Sequence, residues 1–277
     1  MRIDCHVHLT SGDGYAERLL KAMDRAGIDR ACLLAMQNIP FWGARAASNA
    51  QVIAAARAHP DRFIPFGYVD LGVDPVGMID QLYMEGFRGL KVTRTRFNYN
   101  DDRLMEYYAR AAAYRMVILF HTGTVVRVEE DALYDVDSSR LRPIFLDRVA
   151  RRFPQLTLIG AHLGNPWYEE AAMTLFWNPN VYFDLSGTTL KRKDAAWFRE
   201  TLWWTPERMA ALSRDKSTHY AQSHPFDRIL FGTDVPPEEM GYCVEEYTSL
   251  FDGLNLPLEL RERVMGGSVA RLFGLDG

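Results

Sequence analysis

Eight short strand-like runs lie along the chain, 3–8, 31–35, 63–69, 88–93, 116–121, 156–162, 181–186 and 228–233, and some, such as Met116 to Phe120, are apolar on every position. That pattern predicts strands covered on both faces. Between them the apolar residues fall at helical spacing. In 15–27, Leu19, Leu20, Met23 and Ala26 share one face and Gly27 stops the run. Helices are predicted likewise over 48–59, closed by Pro60, and over 76–84, closed by Gly86. Further helices follow over 103–114, 139–153 and 166–177, and the tail 238–273 reads as two helices broken at Pro257. Strands that alternate with helices imply a parallel sheet with right-handed crossovers. Eight such units in this length predict a (β/α)8 TIM barrel, α/β in class, with C-terminal helices and a long loop after strand seven. The alternative is an open doubly wound sheet, but no G-x-G-x-x-G follows the first strand and no phosphate-binding G-x-x-x-x-G-K-[ST] occurs. No linker or low-complexity stretch divides the chain, so 1–277 reads as one domain.

Several predicted strands end on groups that can bind a metal or move a proton. The first is Ile3-Asp4-Cys5-His6-Val7-His8. Histidines at i and i+2 of a strand share a face and make half of a metal site. Later runs close the same way: Phe120-His121-Thr122-Gly123, Gly160-Ala161-His162-Leu163-Gly164 and Phe231-Gly232-Thr233-Asp234-Val235-Pro236. In a barrel the C-terminal strand ends form one mouth. His6, His8, His121, His162 and Asp234 therefore converge, although more than 220 positions separate the first from the last. Any one of these histidines could be a packed core residue; all of them at one level of one barrel are hard to read that way. The remaining histidines, His59, His219 and His224, fall at helix ends or in loops and read as surface groups, with His219 or His224 able to approach a substrate from the seventh loop.

Composition narrows the function classes. The apolar fraction is 48%, the charged fraction 25% and the formal charge −4, which gives no footprint for nucleic-acid binding. Cys5, Cys32 and Cys243 are too few and too scattered for a disulfide framework or a C-x-x-C zinc site. Reduced thiols in a cytoplasmic protein are the expectation. Asp4 and His6 interrupt the first apolar residues, which argues against a signal peptide, and no apolar run is long enough to span a membrane.

The four polar-ended motifs, in this order, resemble those of the amidohydrolase superfamily. The chain is similar to its amidohydrolase-related branch, which includes aminocarboxymuconate-semialdehyde decarboxylase, resorcylate decarboxylases, oxalomesaconate hydratase and pyrone-dicarboxylate lactonase. The likeness extends to Met23-Asp24-Arg25-Ala26-Gly27-Ile28-Asp29-Arg30 and to Gly266-Gly267-Ser268-Val269-Ala270-Arg271-Leu272-Phe273-Gly274. Ser268 stands where many relatives carry Asn, and Lys91-Val92-Thr93-Arg94 where many carry Lys-Leu-His. The resemblance implies one divalent metal ion held by His6, His8, His121 and Asp234, with His162 as the acid/base or substrate-polarising group. Such a donor set suits Zn2+, with Mn2+ as the alternative. Lys91 ends the fourth strand, where binuclear members carry a bridging carboxylated lysine; here a substrate-contacting or structural role is expected. The resemblance also implies a homodimer.

The loops at the mouth carry Arg94, Arg96 and Arg127, a residue type suited to bidentate recognition of a carboxylate. Trp42, Phe97 and Trp167 can supply an aromatic wall, and the seventh loop, with Trp197, Trp203 and Trp204, a lid or a subunit contact. The expected substrate is a small carboxylate, with Arg94, Arg127, Trp167 and Lys91 as its contacts. The expected activity is metal-dependent hydrolysis of a lactone, ester or amide bond, with Asp234 and His162 catalytic. The alternative on the same parts is a metal-dependent non-oxidative decarboxylase, a carboxy-lyase.

Overall fold

A computed structural model describes residues 1–212 and 223–275. Eight parallel strands follow one another around a barrel: β1 (Ile3–His8), β2 (Arg30–Leu34), β3 (Phe63–Tyr68), β4 (Gly89–Val92), β5 (Val117–Phe120), β6 (Leu158–Gly160), β7 (Val181–Asp184) and β8 (Ile229–Leu230). The seam between β8 and β1 is joined by two backbone hydrogen bonds. Cys5 N donates to Phe231 O at 2.9 Å and Asp234 N donates to His6 O at 2.9 Å. The predicted TIM barrel is the observed fold.

Alternation along the strands divides the apolar side chains into two layers. Ile3, Cys5, Leu34, Phe66, Leu119, Ile159 and Leu230 form one cluster with Val269 and Ala270 of the tail. Leu33, Leu90, Val92, Phe120 and Phe183 join the helices in the other. The first cluster is the barrel interior, closed from below by the C-terminal helix Ser268–Phe273. Strand β1 contributes Ile3 and Cys5 to the interior but Val7 to the outer layer. Its register shifts between Asp4 and Val7, and such a bulge re-aims the side chains beyond it.

Several local expectations are corrected. The helix predicted over 139–153 is a 3-10 turn, Ser138–Leu141, followed by a helix at Phe145–Arg152. Pro143 causes the break, because it lacks an N–H and pushes the preceding residue out of helical geometry; Arg142 is extended, with φ −68° and ψ 136°. The tail has its break at Pro257 and a second at Gly266, giving Met240–Leu254, Leu258–Glu262 and Ser268–Phe273. A Cβ at Gly266 would stand 2.6 Å from Ile3 N and from Met1 O, so only glycine lets the tail cross the base of β1. A two-stranded hairpin, Pro40–Phe41 with Ala44–Arg45, had no sequence signal long enough to find.

The seventh loop does not read as a lid where it is described. It forms helices Thr188–Arg192, Ala195–Thr201 and Pro206–Leu212. Trp204 is fully buried, its ring 5.2 Å from Phe176, and Trp197 packs edge-on to Tyr168. His219 lies outside the described residues. Among the described residues no helix is long and apolar enough to cross a membrane, and Cys5, Cys32 and Cys243 are buried free thiols.

Candidate metal centre

The C-terminal strand ends bring the predicted groups together. His6 and His8 are the last inward pair of β1, and Lys91 lies on β4 between the outward Leu90 and Val92. His121 follows β5 directly, and Gly123 behind it permits a close crossing: a Cβ there would lie 2.2 Å from Asn165 O. His162 and Asp234 have left-handed backbones, with φ of 62° and 47°. For residues other than glycine that conformation costs on the order of 1–3 kcal/mol and needs surrounding bonds to hold it. His162 N donates to Asp184 Oδ1 at 2.9 Å, and Asp234 N donates to His6 O. Asp4, buried beneath them, accepts from His6 N and Thr233 N at 3.0 Å and from Thr233 Oγ1 at 2.7 Å. It ties β1 to the turn that carries Asp234.

The donor atoms are close-set. His6 Nε2 lies 3.2 Å from His8 Nε2 and 3.8 Å from Asp234 Oδ1, and His8 Nε2 lies 3.6 Å from the same oxygen. His162 Nε2 is 3.7 Å from Asp234 Oδ2. One donor atom from each of His6, His162 and Asp234 falls within 4.8 Å of the others. Lys91 Nζ, on a fully buried side chain, stands 3.2 Å from His6 Nε2. His121 is set apart: its ring centroid is 4.8 Å from that of His162, and its Nε2 lies 3.2 Å from Thr124 O.

Burial dominates the electrostatics. It pushes the carboxyls of Asp4 and Asp234 up to about 7; the ammonium of Lys91 opposes the rise at Asp234. Burial pushes Lys91 down to about 8 against the pull of Asp234 and Asp184, and His6 down to about 3 with Lys91 adding to the effect. His8, His121 and His162 are lowered for the same first reason. Neutral imidazoles beside a carboxylate are the protonation states that bind a metal.

A divalent ion fits these residues. Donors about 2.1 Å from one tetrahedral ion stand roughly 3.4 Å apart, close to the 3.2, 3.6 and 3.8 Å found among His6, His8 and Asp234. Among the described residues, Asp234 Oδ1 is buried without a hydrogen-bond partner. An unpaired carboxylate oxygen in a protein interior is costly, and a cation would relieve it.

The predicted substrate contacts are less uniform. Arg94 is 6% exposed; its Nε donates to Asp131 Oδ1 at 3.1 Å and its Nη2 to Val126 O at 2.9 Å, which places it under the loop after β5. Arg127 and Arg96 are exposed. Trp167 is half-buried, with the Arg142 guanidinium 5.7 Å from its ring. Phe97 is covered by Arg103 at 3.5 Å rather than facing the histidines. Besides the His6 ring at 5.2 Å, His8 meets Phe41, at 4.9 Å, and Trp42, at 6.2 Å, both presented by the small hairpin. His224 caps a 3-10 turn through Phe226 N. Sequence reasoning missed Phe41 and the pair Asp184 and Ser186. The latter two had a signal: they end the seventh run, 181–186, on polar groups as the other motif strands do.

A family model described as Amidohydrolase matches residues 3–275. No curated protein has a matching sequence. Solved structures share the fold at low identity. An uncharacterised TIM-barrel protein from Bordetella bronchiseptica is 20% identical, with a TM-score of 0.71 over 99% of this chain and 98% of its own. A dihydroxybenzoic acid decarboxylase from Polaromonas sp. JS666, bound to manganese and the inhibitor 2-nitroresorcinol, is 15% identical, with a TM-score of 0.66 over 100% and 97%. A putative 2-pyrone-4,6-dicarboxylic acid hydrolase from Pseudomonas putida is 17% identical, with a TM-score of 0.59 over 100% and 98%.

Proposed function

The chain belongs to the amidohydrolase family, and we propose that it is a metal-dependent hydrolase of a lactone, ester or amide bond in a small carboxylated substrate. The observation that carries this reading is the unpartnered, buried Asp234 Oδ1 facing His6 Nε2 and His8 Nε2 at 3.8 and 3.6 Å. His6, His8, His121 and Asp234 would hold one divalent ion; the imidazole-rich set suits Zn2+, and Mn2+ is present in one similar structure. When bound, the ion supplies Lewis acidity, polarising a carbonyl oxygen and lowering the pKa of a water from about 15.7 towards roughly 7. Asp234 takes the proton of the attacking water at its carboxylate. His162, with Nε2 3.7 Å from Asp234 Oδ2, takes that proton from Asp234 and passes it to the leaving group. Phe41 and Trp42 screen the His8 side of the site from water. Lys91 contacts the substrate or stabilises charge beside His6. In this reading the protein is a cytoplasmic homodimer.

The second reading is a carboxy-lyase on the same residues. It is favoured by the fold shared with a manganese-containing dihydroxybenzoic acid decarboxylase over nearly the whole chain. Turnover in H2(18)O decides between them, with 2-pyrone-4,6-dicarboxylate and dihydroxybenzoates as the first substrates. One 18O in the product acid without CO2 is the expected result; CO2 release without 18O overturns hydrolysis and leaves the carboxy-lyase.

Carboxylate recognition is assigned to Arg94 and Arg127, with Trp167 at the wall. A hydrogen bond to a charged group contributes about 1.5–3 kcal/mol, so Arg94→Ala and Arg127→Ala should each raise KM by roughly 10-fold to 100-fold. Unchanged KM in both variants, for every acid accepted, would remove this assignment.

A further inference from the structure

Asp184 and Ser186 lie behind the metal-binding face, on the side of His6 and His162 away from Asp234. Asp184 is fully buried at the end of β7. Its Oδ2 faces His6 Nδ1 at 2.9 Å. Its Oδ1 accepts from His162 N at 2.9 Å, Ser186 N at 3.0 Å and Ser186 Oγ at 2.5 Å. Three donors thus occupy Oδ1, and Lys91 Nζ, at 3.2 Å from His6 Nε2, makes that nitrogen an acceptor and leaves the ring proton on Nδ1, so Oδ2 accepts as well.

We propose that Asp184 and Ser186 are positioning residues that lock His6 and His162 in one tautomer, with the proton on Nδ1 and a bare Nε2 aimed at the metal-binding face. For His6 the step is direct: its Nδ1 must donate to Asp184. The opposite nitrogen agrees, because His6 Nε2 stands 3.2 Å from Lys91 Nζ, which carries only donors. For His162, Nδ1 has two neighbours. One is Ser186 O at 3.3 Å, a carbonyl that can only accept. The other is Ser186 Oγ at 2.9 Å, whose single hydrogen is already given to Asp184. Both require a proton on His162 Nδ1. Its Nε2 therefore faces Asp234 Oδ2 at 3.7 Å as a second acceptor, a pair that needs a cation or a shared proton between them.

This arrangement gives His162 a definite starting state. It begins as a proton acceptor or metal donor, and it acts as an acid only after taking a proton from another group. That consequence rests on the reading of the pocket as a catalytic centre; the tautomers do not. The Asp184 carboxylate serves two strand ends: it orients the His6 ring and also holds the left-handed backbone of His162 through its N–H.

The test is the tautomer itself, read without substrate. The full chain is labelled with 15N-histidine, and a long-range 1H–15N spectrum is recorded on metal-free protein, with His6→Gln and His162→Gln to assign the signals. Both rings should show a protonated Nδ1 and an unprotonated Nε2. A protonated Nε2 on either ring in the parent protein overturns the proposal. In Asp184→Asn the amide can donate to His6 Nδ1, so the His6 signal should move to the Nε2-protonated form. In Ser186→Ala the carbonyl of residue 186 remains, so His162 should keep its tautomer. Zinc affinity, measured by chelator competition, should fall about 10-fold to 100-fold in Asp184→Asn. An unchanged His6 tautomer and unchanged zinc affinity in a folded Asp184→Asn protein would overturn the role of Asp184, whatever reaction the enzyme performs.

Discussion

Asp234→Ala is expected to lose the bound divalent ion, about one per chain in the parent protein and none in the variant, together with at least about 10³-fold of turnover. The substitution removes the one acidic side chain within 4 Å of both His6 Nε2 and His8 Nε2 among the described residues. It leaves neutral imidazoles beside the Lys91 ammonium, whose repulsion of a dication is then offset only by Asp184 behind His6. Water that is no longer activated keeps its pKa near 15.7, so the loss of rate follows from the loss of metal. Elemental analysis after gel filtration reads the first effect and kcat/KM the second. His121→Ala should behave the same way if His121 is a ligand. Two ions per chain in the parent would instead make Lys91 a bridging group, and an ion retained by Asp234→Ala would take Asp234 out of the donor set.

His162→Ala is the second large effect, and its signature differs. The ion should remain while kcat falls about 10²-fold to 10⁴-fold, the range for removing a positioned acid/base. The structure makes this a sharp comparison, because His162 has a donor atom within 4.8 Å of His6 and Asp234 whereas the Nε2 of His121 lies against Thr124 O. If the ion leaves with His162 and stays in His121→Ala, the two histidines exchange roles. Elemental analysis of both variants beside their steady-state rates reads the outcome.

Much of this was legible in the chain because strand ends in a parallel barrel are forced to one mouth. His6, His8, His162 and Asp234 could be brought together on paper from the run-and-motif pattern alone, and their neighbouring donor atoms stand 3.2 to 3.8 Å apart. The left-handed backbones of His162 and Asp234 were not legible, since His and Asp adopt that conformation more often than most residues but only where their surroundings hold it; here Asp184 Oδ1 accepts from His162 N and His6 O from Asp234 N. The surroundings of the mouth residues carry no local signal. Arg94, expected to recognise a carboxylate, is held in place by Asp131 and Val126, partners 37 and 32 residues away. Trp204 looked like part of a lid and is core. Phe41 sits on His8 only because a hairpin of two-residue strands folds over it, too short to leave a periodic signal.

Residue order alone carries the succession of strands and helices, the barrel they make and the set of groups at its mouth. Those depend on local periodicity and on a topology with few solutions, both written in residue order. Packing in three dimensions sets which nitrogens of His6 and His162 face the centre, that Asp184 and Ser186 stand behind them, and that Asp234 keeps an oxygen unpaired. Those depend on distances of about 3 Å between residues up to 229 positions apart, as between Asp4 and Thr233. A linear pattern carries no such distance, because many side-chain arrangements satisfy the same alternation while only one satisfies every buried donor and acceptor.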